Sequence, residues 1–167
     1  VFQSPLPLSQ NNQESSAVFF LFWYNRSMKK IVFVCLGNIC RSPMAEFVMK
    51  SLTDDLHIES RATSSWEHGN PIHQGTQAIF KKHTISYDKG KTSQQISAQD
   101  FAEFDYIIGM DEANIRDLKK MAPADFQNKI YQFADLGVPD PWYTGDFDET
   151  YDLILAGCHK WLERLNG

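Results

Sequence analysis

Residues 35–42, with the sequence CLGNICRS, place a cysteine and an arginine six positions apart. A cysteine thiolate is a nucleophile, and an arginine guanidinium binds two oxygens of a phosphate at once. A β-branched apolar run precedes this segment, and a serine–proline pair typical of a helix start follows the arginine. We therefore expect a strand-to-helix loop that holds a tetrahedral oxyanion, with Cys35 attacking the central phosphorus to form a phospho-cysteine.

Other residues of the segment also suit an anion site. The N–H groups at a helix N-terminus are unpaired and attract a dianion. Gly37 lets the backbone approach a ligand closely, and Asn38 tolerates a left-handed conformation. The Ser42 hydroxyl is near enough in sequence to hydrogen-bond a thiolate. A buried Cys35 with an unrelated surface Arg41 is the alternative, which the flanking strand and helix disfavour.

Cleavage of a phosphate ester also needs a proton for the leaving oxygen, which a thiolate cannot supply. The segment GVPDPWYTGD places Asp140 between two prolines that stiffen the chain, directly before two aromatic residues that suit a flat substrate. Asp135, Asp146 and Asp148 are the alternatives, but the last two resemble N-terminal residues of the final helix. We expect Asp140 to be the general acid.

Strand and helix patterns alternate along the part of the chain that must position these residues. Continuous or alternating apolar runs predict strands at 30–34, 57–65, 105–110 and 129–135. Helical periodicity predicts helices at 42–56, with Ser42 as the N-cap, and at 70–83, 97–104, 111–121 and 147–165. This alternation predicts an open, doubly wound α/β sheet with ligands at the carboxyl ends of its strands, where Cys35 lies.

Composition limits the possible functions. The net charge is −5 and no basic stripe is present, which disfavours a nucleic-acid partner. Three cysteines without zinc spacing predict no disulfide scaffold and no metal site, and favour a reducing, cytoplasmic compartment. The longest apolar run, residues 17–24, is too short to span a membrane.

Composition changes sharply at Met28. Residues 1–16 are rich in Gln, Asn, Ser and Pro without periodicity, and we expect them to be disordered. We therefore divide the chain into a disordered or appended extension, 1–27, and a catalytic domain, 28–167. Residues 17–24 either are inert or dock on a partner or membrane surface, and the shortness of the run favours the first interpretation.

The motifs VCLGNICRSPMAE, DYIIGMDEANIRDL and DPWYTG resemble those of the low-molecular-weight protein tyrosine phosphatase family. The resemblance covers residues 29–165. It implies a four-stranded parallel sheet with helices on both faces. It also implies hydrolysis of phosphotyrosine in proteins or peptides, without a metal or cofactor and with inorganic phosphate as the product.

The resemblance also implies a role for each site residue. Cys35 is the nucleophile, Arg41 binds the phosphate, and Ser42 assists ionisation and departure of the thiolate. Asp140 is first the acid and then the base that activates water, whereas Asp111 belongs to a motif expected to be structural. The expected substrate-binding residues are Leu36, Gly37, Asn38, Ile39, Cys40, Ser42, Trp66, Glu67, Trp142 and Tyr143.

Three positions bear on regulation and selectivity within that family. Cys40 matches a position able to form a reversible disulfide with Cys35, which would protect the nucleophile from over-oxidation. Trp66 matches a wall of the substrate cleft, and Glu67 lies where relatives vary, so substrate preference is expected to depend on it. Residues 88–95 lack the histidine of eukaryotic members, which favours a bacterial-type member.

Three alternative functions share this fold or loop. Thioredoxin-coupled arsenate reductases need two further cysteines in mid-chain, and none lies between Cys40 and Cys158. Protein-arginine phosphatases carry a threonine where this chain has Ile39. A non-catalytic phospho-binding module usually lacks the cysteine or the acid, and this chain has both.

Overall fold

The computed structural model describes residues 12–167, with side chains for residues 16–23 and 28–167. The strands of this part of the chain are β1 Lys29–Cys35, β2 Leu56–Ala62, β3 Tyr106–Gly109 and β4 Ile130–Gln132. Its α-helices are α1 Asn12–Ser27, α2 Arg41–Leu52, α3 Gln74–Lys82, α4 Ala98–Glu103, α5 Glu112–Met121, α6 Pro141–Thr144 and α7 Phe147–Asn166. A 3-10 helix, Ala124–Lys129, precedes β4.

The four strands form one parallel sheet in the order β2-β1-β3-β4. Cys35, the last residue of β1, pairs in register with Ala62 of β2, and the preceding Val34 pairs with Gly109 of β3. The carboxyl ends of three neighbouring strands therefore meet beside Cys35. This arrangement confirms the predicted open α/β fold and places the cysteine at its ligand-binding edge.

Strand β1 is buried on both faces, as its continuous apolar sequence predicts. Ile31, Phe33 and Cys35 belong to a core that also contains buried residues of α2, α3 and α7. Val32 and Val34 point the other way, into a second core that includes Leu118 of α5 and Phe101 of α4. Cys158 of α7 is fully buried, so its predicted place in the core is confirmed.

Two helix starts differ from the sequence prediction. Helix α2 begins at Arg41 after Cys40, so the prediction of Ser42 as its N-cap is wrong. The Ser42 hydroxyl lies instead beside the Cys35 sulfur, a tertiary contact that replaces local capping. Helix α3 begins at Gln74 rather than near residue 70, because the His73 side chain accepts a hydrogen bond from the Gly75 N–H and caps it.

Helix α1 covers Asn12–Ser27, where we expected no regular structure up to residue 16. Gln, Glu and Ala in this stretch have favourable helix propensity, which the compositional argument underweighted. The side chains of residues 18–23 are each more than half exposed. Among the described residues no helix has both the length and the apolarity to cross a membrane. Residues 1–11 lie outside the described residues, and the division of the chain at 28 stays a prediction.

Candidate active site

The five residues that join β1 to α2, residues 36–40, form a loop whose carbonyl groups face outward into hydrogen bonds. The carbonyls of three loop residues accept from neighbouring segments: Leu36 from Ser64, Gly37 from Ser93 and Ile39 from His73, at 2.7 to 3.1 Å. The N–H groups of Leu36, Gly37, Ile39 and Cys40 donate to no acceptor among the described residues. Free donors of this kind, beside a helix N-terminus, form an anion-binding concavity.

Asn38 gives the β1–α2 loop its sharp turn. Its φ is +55°, in the left-handed region that asparagine tolerates better than most residues. Its side chain is buried, accepting from the Gln94 N–H at 3.1 Å and donating to the Ser42 Oγ at 2.9 Å. Asn38 therefore shapes the loop, as expected, through contacts on both sides of the turn.

Cys35 lies at the base of the loop with two potential donors on its sulfur. The Asn38 N–H donates to Sγ at 3.3 Å, and the Ser42 Oγ lies 3.1 Å from it. Because Asn38 Nδ2 already donates to the Ser42 oxygen, the serine proton is available for the sulfur. Donors to a sulfur favour its charged form, so this geometry suits a thiolate nucleophile and leaving group.

Arg41 is nearly fully buried and fixed by two carboxylates and a carbonyl. Nη1 donates to Asp111 Oδ2 at 2.5 Å and to the Val138 carbonyl at 3.0 Å, while Nη2 donates to Asp140 Oδ2 at 3.2 Å. Its Nε is buried without a partner among the described residues. Burial opposes the charge, but Cys35, Asp111 and Asp140 outweigh it and raise the pKa of Arg41. The guanidinium is thus a fixed cation with a donor left for an anion.

Asp111 does more than the structural role expected of it. Oδ1 accepts from the Asn114 N–H at 2.8 Å and caps α5, while Oδ2 holds Arg41. Its position two residues after the end of β3, at the ligand edge of the sheet, was a signal that sequence reasoning passed over. Asp111 therefore orients the guanidinium of the candidate site.

Asp140 is the carboxylate of the GVPDPWYTGD segment that reaches the site. It caps the short helix α6 through the Trp142 N–H and lies in the same cleft as Cys35. The alternatives lie elsewhere: Asp146 caps α7, Asp148 pairs with Lys82 at the surface, and Asp135 is exposed outside the cleft. Of the four candidates, only Asp140 has the placement that a general acid needs.

The cleft above the sulfur has a volume of about 250 Å³, and all of its lining residues were expected site residues. They are Cys35, Leu36, Gly37, Ile39, Cys40, Trp66, Glu67, Asp140, Trp142 and Tyr143. The remaining expected residues, Asn38, Arg41 and Ser42, support the loop from behind through the contacts given above. The aromatic rim (Trp66, Trp142 and Tyr143) is exposed, by 78%, 56% and 77% respectively.

Cys40, the second thiol of the loop, is free and buried like Cys35. Burial, reinforced by the negative charges of Cys35 and Asp140, raises the pKa of Cys40 to about 12. Its thiol therefore stays protonated at neutral pH and does not compete as a nucleophile. The expected disulfide with Cys35 stays a prediction.

His73 is a site neighbour that sequence reasoning missed. Its backbone N–H holds the Ile39 carbonyl, its ring stacks on Phe147 of α7, and its edge contacts Trp142 of α6. The Phe147 ring lies so close to Gly75 that a Cβ at Gly75 would come within 2.6 Å of the ring atoms. His73 thus joins the loop to the segment that carries Asp140, a link visible only in three dimensions.

Comparison with known proteins places this geometry in a family. The model of the low molecular weight phosphotyrosine protein phosphatases matches residues 30–167. A curated relative, the low molecular weight protein-tyrosine-phosphatase PtpA of Staphylococcus aureus, is 40% identical over 147 residues, which cover 81% of this chain and 93% of PtpA.

Solved structures agree with that match. SP-PTP, a low molecular weight protein tyrosine phosphatase from Streptococcus pyogenes, is 62% identical with a TM-score of 0.81, covering 83% of this chain and 93% of that one. DARP, a Drosophila arginine phosphatase, is 32% identical with a TM-score of 0.75, covering 83% of this chain and 98% of that one.

Proposed function

The chain belongs to the low-molecular-weight protein tyrosine phosphatase family, and we propose that it hydrolyses phosphotyrosine and small aryl phosphates through a phospho-cysteine on Cys35. The observation that carries this proposal is the position of Arg41. Its buried guanidinium is held by Asp111 and Asp140 beside a loop of free N–H donors, at the base of which lies the Cys35 sulfur. Nucleophile and carboxylate thus line one small cleft, and the cation is paired with that carboxylate.

In the first step the Cys35 thiolate attacks phosphorus, and an S–P bond forms as the bond to the tyrosine oxygen breaks. The protonated carboxyl of Asp140 gives its proton to that oxygen, so that a neutral phenol leaves. The loop N–H groups and Arg41 stabilise the charge on the equatorial phosphate oxygens. The product of this step is phospho-cysteine, with Asp140 as the carboxylate.

In the second step water attacks the phospho-cysteine, and the Asp140 carboxylate takes a proton from it. The S–P bond breaks, inorganic phosphate forms, and the sulfur leaves as a thiolate. The Asn38 N–H and the Ser42 hydroxyl, both within 3.3 Å of Sγ, stabilise that leaving group. The acid and the thiolate are both restored for the next cycle.

The ion pair between Asp140 and Arg41 is part of this cycle. Nη2 lies 3.2 Å from Asp140 Oδ2, and a phosphate oxygen competes with that carboxylate for the same donor. Binding of the substrate dianion at Nη2 releases Asp140 from Arg41, which frees the carboxyl group to reach the leaving oxygen. This exchange links substrate binding to the position of the acid.

The lining of the cleft supports an aromatic substrate. The exposed aromatic rim stands above the sulfur, and Ile39 offers an apolar wall where arginine phosphatases carry a threonine. We also propose a reducing, cytoplasmic location, which would keep all three cysteines as the free thiols seen here. The family match begins at residue 30, which supports the proposed extension over residues 1–27.

Turnover of four substrates tests the proposal. We expect p-nitrophenyl phosphate and a phosphotyrosine peptide to be hydrolysed, and phosphoserine and phosphoarginine peptides to be poor substrates. The Cys35→Ser protein, which keeps the size of the side chain, should have no measurable activity. Preferred hydrolysis of phosphoarginine would replace the proposed substrate, and full activity of Cys35→Ser would remove the proposed nucleophile.

A further inference from the structure

Helix α6, whose N-cap is the proposed general acid, has few attachments to the rest of the protein. In the part of the chain that the structure describes, the hydrogen bonds of residues 141–145 all stay within residues 140–146. Asp140 reaches another segment through one ion pair, from its Oδ2 to Arg41 Nη2 at 3.2 Å. A helix of four residues is too short to be stable alone, so side-chain contacts must set the position of α6.

That ion pair is lost at the moment when the acid acts. In the proposed cycle the substrate dianion takes the Nη2 donor, so Arg41 no longer holds Asp140 while the ester bond breaks. Another contact must then keep the carboxyl near the leaving oxygen, because a displacement of about 1 Å lowers a rate by about a hundredfold. The contact between His73 and Trp142 lies where such a support is needed.

The His73 imidazole meets α6 at Trp142, two residues after the acid. The two rings meet edge to face, with centroids 5.6 Å apart and an interplanar angle of 78°, which is a favourable geometry for an aromatic pair. The backbone of Trp142 is joined in turn to the acid, because its N–H donates to Asp140 Oδ1 at 3.1 Å. Displacement of the tryptophan would therefore displace the carboxyl group as well.

The imidazole ring is itself fixed on three sides. Its Nδ1 accepts from the Gly75 N–H at 2.9 Å, so the ring cannot rotate without loss of the α3 cap. One face stacks on Phe147 of α7, with centroids 5.1 Å apart and the rings 16° from parallel. The His73 backbone N–H donates to the Ile39 carbonyl of the β1–α2 loop at 2.9 Å. Because these partners belong to three different elements, the ring is a fixed support for α6.

Gly75 makes the stacked arrangement possible. A Cβ at this position would lie 2.4 Å from Cζ of the Phe147 ring, so any larger residue would push that ring away from the imidazole. Glycine is less favourable than alanine inside a helix, and its place in the first turn of α3 therefore needs a reason. The close approach of the Phe147 ring supplies that reason.

A second histidine stack joins the same two helices without contact to the cleft. His83, the C-cap of α3, stacks on Tyr151 of α7 with centroids 3.8 Å apart and the rings 16° from parallel. Neither residue lines the cleft. This pair has the chemistry of the His73 stack without its link to α6, and it provides a matched control.

We propose that His73 is a positioning residue whose ring, through Trp142, keeps the Asp140 carboxyl at the leaving oxygen once the substrate has released that carboxyl from its ion pair. The inference rests on the proposed function, because it assigns a role in the same reaction. Loss of the ring should impair protonation of the leaving group and have little effect on attack by the thiolate.

The test compares kcat/KM for phenyl phosphate and for p-nitrophenyl phosphate in the full chain. Phenolate is a strong base that needs a proton in order to leave, whereas the nitro group stabilises the leaving anion and makes the acid less important. Both substrates have one aryl ring and no peptide, so a change in binding of the ring affects them alike. The ratio of the two values, phenyl over p-nitrophenyl, therefore reports the placement of the acid, and a partial loss of folded protein cancels from it.

Two variants of His73 separate the ring from the helix cap. His73→Asn removes the ring but keeps a cap, because an asparagine oxygen accepts the same N–H. We expect kcat/KM to fall by about tenfold for phenyl phosphate and by about twofold for p-nitrophenyl phosphate. His73→Phe keeps the ring and loses the cap, so it should lower thermal stability and keep the ratio within about twofold of wild type. A wild-type ratio in His73→Asn, or an equal fall of the ratio in both variants, would overturn the proposal.

His83→Asn is the matched control, and it should leave the ratio unchanged. In an Asp140→Asn background no acid remains to be positioned, so His73→Asn should then change the ratio no further. An equal fall of the ratio with His83→Asn, or a further fall in the Asp140→Asn background, would contradict a role that acts through the acid.

Asp140→Asn alone separates this inference from the proposed function. It should lower the ratio more than either variant of His73, because it removes the proton itself. An unchanged ratio in Asp140→Asn would remove the proposed acid and overturn both proposals. A lowered ratio there, together with an unchanged ratio in His73→Asn, would overturn only the role of His73.

Thermal unfolding identifies any variant that is not folded at the assay temperature. For an unfolded His73→Asn protein, Phe147→Leu is the second test, because it removes the ring on which the imidazole stacks and keeps an apolar side chain. Tyr151→Leu, one turn further along α7, is its control. Phe147→Leu should lower the ratio and Tyr151→Leu should not, and equal ratios in the two proteins would overturn the proposal.

Discussion

The β1–α2 loop and the aromatic rim face the same cleft but are built in different ways. Every carbonyl named above in the loop is hydrogen-bonded to a neighbouring segment, and Arg41 behind it is held by two carboxylates. The aromatic rim is more than half exposed. Rigid, buried groups suit the chemical step, which needs fixed donors, whereas exposed side chains suit recognition of varied peptides. We therefore expect changes in the loop to alter kcat and changes in the rim to alter KM.

Of the variants proposed here, Arg41→Lys should have the largest effect, and it tests the loop side of this comparison. A lysine keeps the positive charge but loses the planar fork that contacts Asp111, Asp140 and the phosphate together. We expect kcat/KM for p-nitrophenyl phosphate to fall by about a thousandfold. Steady-state kinetics measures the loss, and circular dichroism verifies the fold. A fall of less than tenfold would mean that charge alone suffices and that the fixed geometry of the loop matters little.

Asp111→Asn tests how far the ion pair with Asp111 positions the Arg41 guanidinium. The asparagine keeps an oxygen to cap α5 through the Asn114 N–H, but it loses the charge that holds Nη1. We expect kcat to fall by about tenfold with little change in thermal stability, because a misplaced guanidinium stabilises the transition state less. Kinetics together with thermal unfolding measures both quantities. A loss of stability with kcat unchanged would return Asp111 to a purely structural role.

Much of the site was predictable because its parts are close in sequence. Cys35, Arg41 and Ser42 lie within eight residues, and the strand and helix around them have strong local patterns. Asp140 was found because the carboxyl ends of parallel strands meet at one edge. The parallel sheet itself followed from the alternation of apolar runs and helical periods.

The parts that were not predictable depend on contacts between distant segments. Arg41 meets Asp111 across 70 positions, and the His73 ring before α3 meets Trp142 of α6. Capping rules favoured Ser42 as an N-cap, but the tertiary environment uses its hydroxyl for the sulfur. Local sequence patterns identify the reacting residues. The residues that orient them can be identified only from the three-dimensional arrangement of the strands.

Trp66→Ala tests the aromatic rim, the second region of the comparison. Removing this exposed ring should raise KM for a phosphotyrosine peptide by about tenfold, because aromatic side chains dominate such contacts. The value for p-nitrophenyl phosphate, which has an aryl ring but no flanking peptide, should change by less than twofold. Leu136→Ala is the control, since Leu136 is fully exposed but does not line the cleft. Equal effects of Trp66→Ala on both substrates would mean that the ring contacts the aryl phosphate group and not the peptide.

Of these variants, Cys40→Ser should have the smallest effect. The effect should be on stability at alkaline pH. Burial raises the pKa of Cys40 from 9.0 to about 12 in the folded state, so the unfolded chain loses this proton first. The stabilisation is complete below pH 9 and disappears as the pH rises towards 12. Over that range the free energy of unfolding of wild type should fall more steeply than that of Cys40→Ser, by up to about 1.4 kcal/mol per pH unit. Urea unfolding at several pH values measures the slopes, and identical slopes would contradict the assignment.

The central claim is that the sulfur of Cys35 carries the phosphoryl group during turnover. Asp140→Asn should slow hydrolysis of the intermediate, because the asparagine cannot take a proton from water. Acid quenching of this variant during reaction with p-nitrophenyl phosphate, followed by peptide mass spectrometry, measures the phosphoryl group directly. We expect one phosphoryl group on the peptide that contains Cys35, at the cysteine itself. A phosphoryl group on another residue, or turnover with none on any residue, would contradict the account.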